Sequence, residues 1–340
     1  MMKIDDFLKQ WYDNNSKILV HTSGSTGEPK YLWVEKKLMI NSAKMTCNFL
    51  KLKAKDNALL CMPLEYIAGK MMVVRSIIND LNLIDVKPSG NPLSDKSLEH
   101  INLDLTPITF AAMVPLQVYN TLKEPIEKER LKKIKHLIIG GGFIDDSIAR
   151  ELKTFPNYIW CSYGMTETLS HIALRRINGK EASQWYSPLN GIEVSTNNES
   201  CLIINAPLIT HQQIVTNDIA VLRKQTVGYC KKPKTIFKII GRKDNIINTG
   251  GIKIQIEEIE NKLKEVINEP FAITKKKSPK FGEEIVLIAK SHNIEYIKNT
   301  CKQILPKFWI PHYFMIVNDI PLTATGKPAR KVIENLVSNT

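Results

Sequence analysis

His136-Leu137-Ile138-Ile139-Gly140-Gly141-Gly142 is followed, after a helix-like segment, by Tyr158-Ile159-Trp160-Cys161-Ser162-Tyr163-Gly164-Met165-Thr166-Glu167-Thr168. Twice in succession a short β-rich run breaks off into glycines or hydroxyls, as a strand does when it delivers a loop at its end. Working outward toward the N-terminus, Ile18–His21, Ala58–Met62 and Ile108–Val114 repeat the pattern, with helical periodicity between them. The alternation predicts a layered α/β domain. Ligands of doubly wound sheets bind beyond the strand ends, so 162–168 is a candidate site. Hydroxyls at Thr166 and Thr168 beside the Glu167 carboxylate suit a phosphate with Mg²⁺, a cation that prefers oxygen and shares phosphate oxygens. An ordinary turn is the competing reading.

Toward the C-terminus the pattern changes to strands and turns, at Ile172–Ile177, Cys201–Asn205, Asp218–Leu222 and Phe237–Ile240, which predicts a β-rich subdomain. A second unit begins near Gly241. Its signals are a helix at Gln255–Val266 with Ile256, Ile259, Leu263 and Val266 at helical spacing, a strand at Glu284–Ala289, a helix at Ile294–Ile304 and a strand at Tyr313–Val317. The expected division is 1–243 and 244–340, the latter a small α+β domain.

With 340 residues, 43% of them hydrophobic, the chain is long enough for a large core and two domains. No window approaches the ~18 uninterrupted apolar residues of a membrane span, and MMKIDDFLKQWYDNN carries acids where a signal peptide is apolar. A cytoplasmic protein is the expectation. Cys47, Cys61, Cys161, Cys201, Cys230 and Cys301 form no C-x-x-C pair and have no histidine at ligand spacing, which predicts reduced structural thiols rather than zinc or disulfides. The formal charge of +13, from 47 basic and 34 acidic residues, is spread along the chain. Such a balance can mean nucleic acid, but a polyanionic small substrate or cofactor explains it equally well, and no nucleic-acid partner is expected. Lys132-Lys133 and Lys275-Lys276-Lys277 read as solvated helix ends and turns.

Between two strand-like segments lies His21-Thr22-Ser23-Gly24-Ser25-Thr26-Gly27-Glu28-Pro29-Lys30. Hydroxyls and unhindered N–H groups can surround phosphate oxygens, glycines permit the turns that point those groups inward, and Lys30 adds charge. Neither the Walker spacing nor the dinucleotide fingerprint is present. On composition alone, a solvated connection competes with an ATP phosphate grip.

Two further motifs complete an ordered set. Gly241-Arg242-Lys243-Asp244-Asn245-Ile246-Ile247-Asn248-Thr249-Gly250-Gly251-Ile252-Lys253-Ile254 leads to Glu257-Glu258-Ile259-Glu260, and Pro321-Leu322-Thr323-Ala324-Thr325-Gly326-Lys327-Pro328 follows near the end. With the 22–30 loop and 162–168, these resemble the adenylate-forming superfamily of acyl-CoA synthetases, luciferases and peptide-synthetase adenylation domains.

The resemblance implies a role for each matching residue. Thr22, Ser23, Gly24, Ser25, Thr26, Gly27 and Lys30 would hold the phosphates of ATP. Gly140, Gly141 and Gly142 would let adenine lie against backbone, with Ser162, Tyr163 and Gly164 on its other side. Thr166 matches the phosphate-binding threonine, Glu167 the Mg²⁺-associated glutamate, Asp218 the ribose-binding aspartate and Arg242 a nucleotide-reaching arginine. Lys327 matches the lysine that meets the carboxylate during adenylation. Asp244 matches the hinge of a mobile C-terminal domain, and Gly250 and Gly251 the segment that admits the pantetheine arm of coenzyme A. A carboxylate lacks a good leaving group, so adenylation precedes thioester formation, and positive charge and positioning dominate the first step.

Within the superfamily the chain most resembles the compact form of the o-succinylbenzoate-CoA ligases of menaquinone biosynthesis, on Met62 to Met72 and Ser162 to Arg175. Tyr66 and Gly69 would then shape the acyl entrance, and Lys70, Arg75, Ser170 and His171 would hold a second carboxylate by charge-assisted bonds. For Arg75 the alternative is a helix-surface position, and for His171 a satisfied histidine at a strand start. Alternatives for the whole chain are a ligase for another acid, an enzyme that loads a carrier protein, and a non-catalytic nucleotide-binding protein. The phosphate loop begins at residue 22, so the resemblance leads to the expectation that most of the family's first subdomain is missing, with a homodimer that covers the exposed surface an open expectation.

Overall fold

The N-terminal alternation becomes helices and strands as follows. Helix α1 (Ile4–Tyr12) buries Phe7 and Trp11, one turn apart and stacked at 6.1 Å. Strands β1 (Lys17–His21) and β2 (Tyr31–Glu35) pair antiparallel, with His21 opposite Tyr31. Then come α2 (Lys36–Leu50), β3 (Asn57–Leu60), α3 (Ile67–Asn79), β4 (Asn82–Asp85), β5 (Ile108–Met113), α4 (Pro115–Lys123), α5 (Pro125–Lys133), β6 (His136–Ile139), α6 (Asp146–Leu152), β7 (Tyr158–Gly164), β8 (His171–Arg176) and β9 (Ser187–Pro188). This computed structural model describes residues 2–21, 31–101, 105–142, 144–225, 233–291, 293–322 and 328–338. The 22–30 loop and Lys327 therefore lie outside the described residues.

A seven-stranded sheet has the order β4-β3-β5-β6-β7-β8-β9. Neighbours from β4 to β7 are parallel, and β8 and β9 add antiparallel. In chain order the parallel strands run 2-1-3-4-5, the flavodoxin-like doubly wound arrangement, and the winding reverses between β3 and β5. Helices flank both faces of such a sheet, so its central strands are buried on both sides and read as unbroken apolar runs. All four residues of β6 are buried.

His136 opens β6 at the edge opposite the strand ends that carry the motifs. It stacks on Tyr158 at 5.0 Å, and its Nδ1 has no hydrogen-bond partner among the described residues. Burial pushes its pKa down to about 4, with Lys135 and Arg176 adding to the effect. The native ring is neutral while the unfolded ring takes up a proton near pH 6.5, so its contribution is complete above 6.5 and is lost as pH falls toward 4. Relative to His136→Phe, the wild type should lose about 2–3 kcal/mol of urea-measured stability between pH 7.5 and 4.5. A difference between the two proteins that does not change with pH would refute this.

Strands β10 (Glu193–Thr196), β11 (Cys201–Asn205), β12 (Ile214–Gln225) and β13 (Lys234–Arg242) form a sheet in that order. The remainder contains β14 (Ile246–Thr249), β15 (Ile252–Gln255), α7 (Ile256–Leu263), β16 (Phe271–Ser278), β17 (Gly282–Ala289), α8 (Ile294–Ile304), β18 (Tyr313–Ile316) and α9 (Arg330–Ser338). By contacts the chain divides into two compact units. One comprises Met1–Val194, Ile204–Ile214 and Leu222–Lys238, and the other Ser195–Ile203, Val215–Val221 and Ile239–Thr340.

In the second unit a sheet runs β15-β14-β17-β16, and β18 joins β17 in parallel. Side chains alternate across a strand, and β17 shows the consequence. Ile285, Leu287 and Ala289 meet Ile259 and Leu263 of α7 and Ile297 and Cys301 of α8, whereas Val286 and Ile288 meet Ile333 and Val337 of α9. Both faces are thereby covered. Helix α7 stops at Leu263, short of the expected Val266, which packs on the same core from the following turn. Lys275-Lys276-Lys277 is corrected from a solvated turn to part of β16. Lys275 pairs with Glu283 at 2.9 Å and donates to the Ile246 carbonyl, and Lys276 lies over the Tyr313 ring. Cys47, Cys61, Cys161, Cys201 and Cys301 are free and buried, and Cys230 lies outside the described residues. No helix among the described residues is long and apolar enough to cross a membrane.

Candidate active site

The carboxyl ends of β3, β5, β6 and β7 share one edge of the seven-stranded sheet, and each delivers a loop there. Gln117 on α4, which follows β5, joins the loops after β3 and β4. Its Nε2 donates to the Cys61 and Ser89 carbonyls at 3.1 and 2.9 Å, and its Oε1 accepts from the Val114 N–H. It therefore fixes the crevice where the winding reverses. Beyond β6, Gly140 lies under the Ser162 hydroxyl, which a Cβ at 140 would overlap, and Gly141 takes φ +76. Ser162 donates to the Ile139 carbonyl at 3.3 Å.

The turn after β7 is strained. Thr166–Thr168 form a short 3-10 helix, and Leu169 then adopts φ 64 and ψ −34, with the Ser170 N–H donating to the Thr168 carbonyl at 2.7 Å. This is a γ-turn of the positive-φ form, which a side chain disfavours by about 1–3 kcal/mol. Two features hold it. A Cβ at Gly164 would strike the backbone of Ser170 and His171, so only glycine lets the chain return this closely over β7. The buried Thr168 hydroxyl accepts from the Met165 N–H and donates toward the Met165 and Ser170 carbonyls, at 3.0, 3.0 and 2.8 Å. Thr168 is thus corrected from a phosphate-binding hydroxyl to the brace of its own turn. Glu167 is exposed at this edge, with Thr166 half-buried beside it.

That turn presents Ser170 to α3. Arg75 Nη2 donates to Ser170 Oγ at 2.5 Å, Ser170 Oγ is 3.3 Å from His171 Nδ1, and His171 Nε2 is 3.1 Å from Thr46 Oγ1 on α2. Three of the four residues expected to hold a second carboxylate are therefore joined. Arg75 is 3% exposed, which corrects the helix-surface alternative. No carboxylate pairs with it among the described residues. Among the described residues Nη1 has only Met72 Sδ, at 3.9 Å, and Nε has no partner. Burial lowers its pKa to about 10, offset in part by Cys47, and the group stays charged at neutral pH. Burial, reinforced by Arg75, holds His171 far below the ordinary histidine range and keeps it neutral.

Lys70 is not part of this group. Five residues along a helix place it roughly 140° around α3 from Arg75. It is buried, its Nζ reaches the Glu65 carbonyl at 3.4 Å, and burial lowers its pKa against the opposing pull of Glu65. Tyr66 caps the start of α3 and is 44% exposed. Gly69 lies directly on the Met62 and Pro63 backbone, where a Cβ does not fit, so its identity is set by helix–loop packing. Neither Thr46 nor Gln117 belongs to a motif, and no local pattern in the sequence marks them.

In the second unit Asp218, Arg242 and Asp244 come together. Arg242 Nη1 donates to Asp218 Oδ1 at 2.8 Å and Nη2 to Asp244 Oδ2 at 2.9 Å, and Asn217 donates to both Asp244 oxygens at 3.2 Å. Thr216 Oγ1 accepts from the Asp218 N–H and donates to the Leu202 carbonyl, which sets the direction of the Asp218 segment. Gly250 and Gly251, with φ 56 and 83, form the two-residue turn between β14 and β15, a geometry that requires φ > 0 at both positions. Among the described residues no three His, Cys, Asp or Glu side chains cluster as a metal site. Mg²⁺ bound through substrate phosphates needs only one or two carboxylates, and Glu167 fits that role.

The fold and its loops define a doubly wound α/β protein with its ligand edge at the strand carboxyl ends. Residues 10–200 match the AMP-binding enzyme family, and the chain belongs to it. It is similar to the 2-succinylbenzoate–CoA ligase of Haemophilus influenzae, 26% identical over 297 residues, which span 85% of this chain and 62% of that protein. It is similar to the same degree to the D-alanine–D-alanyl carrier protein ligase of Staphylococcus aureus, 25% identical over 360 residues, 98% of this chain and 73% of that one. Among solved structures, the acyl-CoA synthetase (AMP-forming)/AMP-acid ligase II-like protein of Dyadobacter fermentans matches with a TM-score of 0.62 and 29% identity, covering 96% of this chain and 91% of that one.

Proposed function

We propose that the chain is an ATP- and Mg²⁺-dependent ligase that converts a carboxylic acid to its acyl-adenylate and then to a thioester of coenzyme A, and that the acid is o-succinylbenzoate, on the way to menaquinone. The observation that carries the choice of acid is the buried Arg75 guanidinium, resting on Ser170 with no carboxylate beside it among the described residues. A buried charge without a partner costs several kcal/mol, and a carboxylate arriving with the substrate would offset that cost. D-Alanine brings an ammonium, which this cation repels. Family membership and the 2-succinylbenzoate–CoA ligase likeness support the same reading.

In the first step one carboxylate oxygen of the acid attacks the α-phosphorus of ATP, the bond to the bridging oxygen breaks, and pyrophosphate leaves. In the second, the thiol sulfur attacks the acyl carbon, AMP departs and the thiol proton passes to solvent. Thr22 to Lys30 would grip the phosphates, Gly140 to Gly142 and Ser162 to Gly164 would flank adenine, and Asp218 with Arg242 would bind the ribose. Glu167 and Thr166 would hold Mg²⁺ and a phosphate, the metal supplying charge neutralisation when bound. Lys327 would meet the carboxylate, Asp244 would act as the hinge, and Gly250 and Gly251 would pass the pantetheine arm.

ATP–pyrophosphate exchange across a panel of acids tests this. Exchange with o-succinylbenzoate at least about 10-fold above its mono-methyl benzoate ester is expected, as loss of one charge-assisted contact predicts. Exchange with D-alanine or a simple monocarboxylate but not with o-succinylbenzoate would overturn the choice of acid. Exchange with no acid would leave a nucleotide-binding protein without this activity. A carrier-protein thiol in place of coenzyme A is the second reading, favoured by the comparable likeness to a carrier protein ligase, and thioester formation with each thiol separates the two.

A further inference from the structure

Thr46 lies on α2, far in sequence from every motif, yet it ends the chain of hydrogen bonds that begins at Arg75. Thr46 Oγ1 is placed to donate its proton to the Ser42 carbonyl one turn back, at 3.2 Å. The same oxygen lies 3.1 Å from His171 Nε2 in a fully buried contact; with the hydroxyl proton directed to Ser42, it accepts there and Nε2 carries the ring proton. In a neutral imidazole Nδ1 is then an acceptor. Ser170, 3.3 Å away, donates to it and keeps its lone pairs for Arg75 Nη2. One donor from each of Arg75, Ser170, His171 and Thr46 then points the same way, ending on the backbone of α2.

We propose that Thr46 is a positioning residue for recognition of the second carboxylate: it fixes His171 in the Nε2–H tautomer, which locks Ser170 as acceptor from Arg75 and leaves the remaining guanidinium N–H groups for an anionic substrate group. The proposal rests on Arg75 binding that carboxylate. With the opposite tautomer, His171 Nδ1–H would donate to Ser170, the serine proton would turn toward the guanidinium, and the Arg75 contact would weaken. The relay therefore acts on selectivity between acids and leaves ATP binding alone.

The first measurement is the ¹⁵N spectrum of the wild-type protein, with the His171 signals assigned by their loss in His171→Asn. A protonated Nε2 and an unprotonated Nδ1 are expected, and the reverse overturns the proposal whatever the substrate. The second is steady-state kinetics of Thr46→Val and Thr46→Ser. Thr46→Val should raise KM for o-succinylbenzoate about 10-fold, leave KM for its mono-methyl benzoate ester and for ATP within about 2-fold, and Thr46→Ser should restore the wild-type value. Arg75→Met is the control. If it raises KM for the diacid while Thr46→Val does not, the positioning role is wrong. If Arg75→Met itself leaves that KM unchanged, the carboxylate reading fails and the proposal fails with it. A uniform loss of kcat across all acids in Thr46→Val would also overturn the proposal, since it would mark a merely structural side chain.

Discussion

Replacing Lys327 by alanine is expected to lower ATP–pyrophosphate exchange by about 10²–10³-fold while leaving thioester formation from supplied acyl-adenylate within a few-fold of wild type. The attack on the α-phosphorus brings an anionic carboxylate onto a polyanion, so the step depends on a cation at the point of charge build-up. The second step starts from a neutral acyl carbon and a thiol, and the charge it develops falls on the carbonyl oxygen and the departing AMP rather than on a carboxylate brought against a polyphosphate. A lysine used only in the first step must therefore divide the two rates. The described residues on either side of 323–327 are joined: Leu322 and Pro328 bridge, and the Ala329 N–H donates to the Pro321 carbonyl at 2.8 Å. Equal loss of both activities in Lys327→Ala would refute the division of labour, and Lys327→Arg separates charge from reach.

The parts of the fold that are legible in the sequence are those where local pattern and burial coincide. β6 at His136–Ile139 and α8 at Ile294–Ile304 fall where the apolar runs place them, because one is buried all round and the other has a clean helical stripe. β16 escapes because three lysines occupy its end, and their partners, Glu283 and the Tyr313 ring, are brought there only by the sheet. α9 escapes because Val332 and Leu336, both exposed, blur the stripe made by Ile333 and Val337. At the site, Asp218 and Arg242 could be read from their motifs, and the structure joins them. The burial of Arg75 could not, since α3 is buried continuously from Gly69 to Ser76 and a charge in a helix is ordinarily solvated. Thr168 misleads for a related reason: a hydroxyl in a motif has the same appearance whether it faces a ligand or braces a strained turn.

Arg330→Met is expected to destabilise the second unit by about 3–5 kcal/mol, the cost of breaking a buried ion pair from one side. Arg330 opens α9 and meets Glu260 of α7 through two parallel bonds, Nη1 to Oε1 and Nη2 to Oε2, each 2.7 Å. Nη1 also donates to the Ile273 carbonyl at 2.8 Å, and the Ile273 N–H donates back to Glu260 Oε1 at 2.9 Å. Removing the guanidinium leaves the Glu260 carboxylate, 4% exposed, with one backbone donor and no cation among the described residues. The loss is thus mainly a stranded charge, and Glu260→Leu combined with Arg330→Met should recover most of it, since an apolar pair of similar volume is often neutral. Urea unfolding of the single and double variants measures both quantities. Arg330 lies three residues after Lys327 in sequence, so the pair also fixes the chain that directly follows that lysine. The double variant should regain stability without regaining full ATP–pyrophosphate exchange, because an apolar contact lacks the two-bond direction of an arginine–carboxylate fork. Recovery of both together would show that the ion pair serves stability alone.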